Sequence, residues 1–193
     1  MSSSTEHEWG SVRPPFAGLR PERRRWVFLV LLVLTLVVGG LVGHYGAFLN
    51  NETAPMGIVS FELARTTEAS EAIVESWSEV RPAAWANILL DFPWMWMYAS
   101  TLALGCVMAG AAWGRRFPSW MPVFAVLAWG QLLAAALDFV ETASLAWILY
   151  TSSGAQPWPF IAWATAIPKF LLVFLGIPAT LSGLIPWLLA KRG

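Results

Sequence analysis

Four long apolar runs divide the chain, at about 26–48, 88–112, 121–149 and 160–189, each near or above the about 20 helical residues that cross a bilayer. None alternates apolar and polar positions with the period of two that a barrel strand needs. A backbone inside lipid must also satisfy its own hydrogen bonds, so the runs are predicted as helices. The pattern therefore predicts an all-α fold, a four-helix transmembrane bundle. A different pattern lies between the first two runs. In "FELARTTEASEAIVESWSEV", Ala69, Ile73, Trp77 and Val80 recur at helical spacing, while Glu71, Glu75 and Glu79 repeat every four residues on another face. This predicts an amphipathic helix over about 57–81, with its acidic face in water and its apolar stripe on the membrane surface or the bundle mouth. An acidic face repels anionic lipid, which favours docking on protein.

Composition supports the membrane class. Of 193 residues, 57% are hydrophobic and 12% charged, where a soluble domain carries about a quarter charged. The formal net charge is zero, so the distribution matters more than the total. Arg13, Arg20, Arg23, Arg24 and Arg25 precede the first run, Arg115 and Arg116 lie between the second and third, and Lys191 and Arg192 follow the fourth. The intervening segment after the first run instead carries Glu52, Glu62, Glu68, Glu71, Glu75 and Glu79 against Arg65 and Arg81. By the positive-inside rule both termini are expected in the cytoplasm, with the amphipathic helix extracytoplasmic. Arg-over-Lys usage and abundant Ala point to a bacterial inner membrane.

Residues 1–25, rich in Ser, Pro, Glu and Arg, read as a flexible cytoplasmic tail preceding a membrane domain over 26–193. "RRRWVFLVLLVL" admits a signal-peptide reading, but the apolar stretch is longer than a signal core and no clear small-x-small site follows, so an uncleaved anchor is expected. Many of the 13 tryptophans fall near run ends, among them Trp26, Trp85, Trp113, Trp120, Trp147, Trp158 and Trp187, as interfacial anchors do.

The candidate chemistry is charge placed inside lipid. Asp91 opens or lies a few residues into the second run, Asp138 and Glu141 lie in the third, and Lys169 in the fourth. Spaced i and i+3, Asp138 and Glu141 share a helix face, and Gln131 lies near that stripe two turns earlier. His44 is near the outer end of the first run. A charge at the bilayer centre costs at least about 3 kcal/mol, so Lys169 should pair with Asp138 or Glu141 in a polar pocket in the outer half of the bundle. One lysine cannot neutralise three carboxylates, which leaves an acid for water, a proton or a ligand. Trp94, Trp96 and Tyr98 are candidate pocket walls. Two alternatives remain open: Asp91 as the N-cap of its helix, with Pro93 in the first turn, and an ion-pair network that only fixes assembly.

No metal site has diagnostic spacing and no cofactor is predicted, although a bound lipid or other amphiphile suits the pocket. The chain contains no HExxH, P-loop, CxxC or Gly-x-Ser-x-Gly motif, one cysteine, and no nucleic-acid footprint. "LLDFPWMWMY", "LDFVETASL" and "IPKFLLVFLG" together resemble small bacterial tetraspan membrane proteins of unassigned function. In layout, four helices with buried acids and many tryptophans resemble the EXPERA group. The expected function is a non-catalytic polytopic membrane protein, an accessory subunit or an amphiphile-binding module, partnered by the bilayer and by a membrane complex or a second copy. The alternatives are a membrane enzyme using a buried carboxylate as general acid on a lipid-like substrate, and a proton- or ion-coupled transporter.

Overall fold

The computed structural model describes Trp9 and residues 12–185. Residues 1–8, 10 and 11 of the expected tail, Trp187, Lys191, Arg192 and the last part of the fourth predicted run lie outside these. The described chain is all-helical, with α1 over Pro21–Ala47, α2 over Ile58–Glu62, α3 over Thr67–Ser76, α4 over Arg81–Gly114, α5 over Met121–Thr151 and α6 over Trp158–Ser182. A single 3-10 turn, Pro118–Trp120, precedes α5. α1, α4, α5 and α6 are long and apolar enough to cross a membrane, consistent with a multi-pass membrane protein.

Two boundaries differ from the hydropathy pattern. α1 begins at Pro21, ahead of the arginine run, because Pro at a first helical position loses no hydrogen bond and already holds a helical φ. α4 begins at Arg81, again with a proline in its first turn, several residues before the apolar run. The arginine is anchored there: its guanidinium donates to the Leu149 carbonyl and, at 2.8 Å, to Ser152 Oγ.

The expected helix over 57–81 is two helices. Thr66 interrupts it in extended conformation, and its hydroxyl accepts from Ala69 N at 3.2 Å, capping α3. The buried side of α3 is Ser70, Ile73 and Val74, followed by Trp77, while Ala69 is exposed. Glu75 and Glu79 are exposed as the pattern implies, and exposed Glu71 accepts from Gly154 N at 3.1 Å through Oε1.

The chain packs as two compact units. One comprises residues 34–96 and 135–169. Its core gathers Leu49, Phe61, Trp77, Ile88, Ile148 and Leu149. Trp77 is fully buried, meets Phe61 edge-on at 5.3 Å, and donates its indole N–H to Leu49 O at 2.8 Å. In the same unit Asn87 and Trp94 donate to the α1 carbonyls of Val42 and Thr35, at 2.7 and 3.0 Å. Gly39 makes the second contact possible, since a Cβ there would lie 2.7 Å from the indole nitrogen.

The other unit comprises the described residues up to 33, residues 97–134, and the described residues from 170 onward. Trp9, from the segment expected to be a free tail, is buried there with Ala103, Cys106, Val107, Met121 and Ala125. Gly110 provides the space, because a Cβ would approach the Trp9 ring at 3.0 Å. Trp129 completes the anchorage by donating to Arg13 O at 3.0 Å.

Candidate functional site

Lys169 of α6 is the centre of a buried charge cluster. Its Nζ lies 2.7 Å from Glu141 Oε1 and 3.1 Å from Asp138 Oδ1, both on α5, and donates to each. A third carboxylate, Glu62 Oε2, stands 3.7 Å away at the end of α2. Relative exposures are 5% for Lys169, 2% for Asp138, 0% for Glu141 and 8% for Glu62, so water does not screen the group. The i, i+3 spacing on α5 aims both acids the same way, as the sequence implied. Pro168 falls immediately before the lysine and cannot donate to the α6 ladder.

Asp91 joins through a neighbour. Its Oδ2 accepts from the Thr142 hydroxyl at 2.7 Å, and Thr142 follows Glu141 on α5. Because α4 already starts at Arg81, Asp91 and Pro93 are interior helical residues, and the N-cap alternative for Asp91 falls.

Glu62 had no place among the sequence candidates. The signal was present: its flanks, Phe61 and Leu63, are apolar, and it stands outside the four-residue repeat of Glu71, Glu75 and Glu79. Burial raises its carboxyl above the ordinary glutamate range; Lys169 opposes this and Asp138 adds to it. Glu62 and Glu141 both face the Lys169 ammonium, at 3.7 and 2.7 Å. Two carboxylates have no donor between them, and Oε2 of each is buried without a hydrogen-bond partner.

His44 is exposed on α1, edge-on to Tyr45 and Phe48 at 5.3 and 5.4 Å. Gln131 is buried but belongs to the other unit, donating to Leu172 O at 2.8 Å. Trp94 is committed to α1, Trp96 is 48% exposed and Tyr98 is buried. Trp94 and Tyr98, spaced i and i+4, share one helix face, and Trp96 lies on another. Among the described residues no group of three His, Cys, Asp or Glu side chains is arranged to hold a metal ion.

The cluster can accept hydrogen bonds and positive charge in a place shielded from water. Comparison with protein-family models, curated proteins and solved structures found no match to the chain.

Proposed function

We propose that this protein is a non-catalytic multi-pass membrane module that binds a small amphiphile at the Glu62–Asp138–Glu141–Lys169 cluster. The observation carrying this reading is the pair of buried carboxylate oxygens, Glu62 Oε2 and Glu141 Oε2, that lack a donor. A headgroup bearing N–H or O–H groups supplies what they lack, since an unmet buried acceptor costs about 1–3 kcal/mol. Apolar side chains exposed next to the polar ones give the tail a surface: Phe139 and Val140 lie between the two α5 acids in sequence, and Ile167 lies two residues before the lysine. An accessory-subunit role uses the same site, with a partner helix in place of the amphiphile.

The reading includes an orientation. An even number of crossings leaves both ends of the described chain on one side, and the basic residues flanking the spans make that side the cytoplasm of a bacterial inner membrane. α2 and α3 then form the extracytoplasmic amphipathic element, supported by buried Ile73, Val74 and Trp77 against exposed Glu68, Glu75 and Glu79.

The test is native mass spectrometry of the protein purified in mild detergent. The expected spectrum shows one donor-headed amphiphile per chain, lost or weakened at least tenfold in Glu141→Gln that remains folded. A wild-type chain free of bound amphiphile, before and after incubation with membrane lipid extract, would overturn the reading.

A further inference from the structure

The buried charges do not balance. Glu62, Asp138 and Glu141 set three carboxylates against one ammonium, a net charge of minus two before Asp91 is counted. Desolvating an uncompensated charge is costly: removing one partner of a buried pair costs about 3–5 kcal/mol for this reason. Among the described residues no second cation pairs with Glu62 or Glu141. Arg65, the nearest in sequence to Glu62, instead lies over the Trp163 ring at 4.7 Å and the Phe160 ring at 5.7 Å. The Lys169 ammonium is already shared between Glu141 and Asp138, and it is farthest from Glu62.

We infer that, in the ligand-free chain, the site holds one proton between the Glu62 and Glu141 carboxyls, carried on Glu62 and donated to Glu141. A single proton answers both shortfalls. It turns one orphan oxygen into a donor for the other, and it removes one negative charge from the cluster. Glu62 is the better carrier because Lys169 holds the other two acids at 2.7 and 3.1 Å and Glu62 at 3.7 Å. Its carboxyl is raised by burial, in keeping with a proton retained as pH climbs through the ordinary glutamate range. The groups that face it are Glu141 and Asp138 from α5 and Lys169 from α6, with Asp91 of α4 linked through Thr142. The inference rests on the reading of the cluster as a binding site only in naming its occupant before a ligand enters.

Infrared spectroscopy of ligand-free protein in detergent tests this directly, so a failure to find any amphiphile leaves it readable. At pH 7 the carbonyl stretch of a neutral carboxylic acid is expected, sensitive to deuterium exchange and fading as pH is raised. Glu62→Gln, which mimics the protonated acid, should lower that band by one carboxyl's intensity. Glu141→Gln should do the same, because its amide can donate to an ionised Glu62. The exposed control Glu75→Gln should leave the band unchanged. Absence of the band from the wild type at pH 7, or an undiminished band in either folded cluster variant, would overturn the inference.

Discussion

Lys169 is the residue on which the cluster depends most. Its ammonium lies 3.7, 3.1 and 2.7 Å from Glu62, Asp138 and Glu141, and it is 5% exposed. Lys169→Met removes the charge while keeping an unbranched chain of similar length. The three carboxyls would then face one another in a site without water, and stability should fall by about 3–5 kcal/mol. Asp138→Asn and Glu141→Gln made together should be less damaging in the Lys169→Met background than in the wild type, because the charges they remove no longer have a partner. A double-mutant cycle on unfolding in mixed micelles measures this; additive effects would show that the ion pairs carry no net coupling. Asp138, Glu141 and Lys169 could be paired from sequence alone, since a lone intramembrane lysine facing two acids one turn apart has little else to do. Glu62 could be singled out by its apolar flanks but not paired, because its burial depends on how a short connecting helix returns to α5 and α6, a long-range contact that periodicity does not encode.

At the scale of elements, the long helices were legible and the short ones were not. Hydropathy locates α1, α4, α5 and α6 because a span must be apolar over most of its length. It misplaces the start of α4, whose first turns are held by Arg81 on the α5 end and by Asn87 on α1 as well as by the burial of Ala84 and Ile88. The same periodicity that suggested one helix over 57–81 runs through Thr66, where the backbone is extended. A threonine hydroxyl competes for the local N–H groups and converts a continuous pattern into a stop and a restart. Thr66→Ala should therefore destabilise α3 by about 1 kcal/mol, the usual loss for an N-cap. Hydrogen exchange at Glu68, Ala69 and Ser70 should accelerate by about fivefold to tenfold. Exchange at Ile148 and Leu149 in α5 should stay unchanged. Equal acceleration in both places would mean that α3 opens only with its whole unit, and that the cap is not a local determinant.

At the scale of the molecule, the proposed orientation draws support from the distribution of charge and aromatic rings. The cations after α1 are engaged locally: Arg65 lies over aromatic rings, and Arg81 is bound to Leu149 O and Ser152. Arg115 and Arg116, between α4 and α5, are exposed, next to a cluster of Trp113, Phe117 and Trp120 with ring centroids about 6 Å apart. A second cluster, Trp147, Tyr150 and Trp158, lies at the α5–α6 connection. Such rings favour bilayer surfaces, in keeping with the proposed placement of each connection at an interface. The single cysteine makes this testable, because Cys106 is buried and can be replaced by alanine to give a silent background. Ser78→Cys, between α3 and α4, should then react with a membrane-impermeant maleimide in intact cells. Ser119→Cys, in the turn before α5, should react only after permeabilisation. Both serines are exposed, so access to the reagent, not burial, decides the result. The inverse labelling pattern would reverse the proposed orientation. Labelling of both positions from one side would mean that α4 does not cross, and the cluster of α2, α5 and α6, with Asp91 of α4 linked to it through Thr142, would then lose the bilayer as the reason its charges stay together.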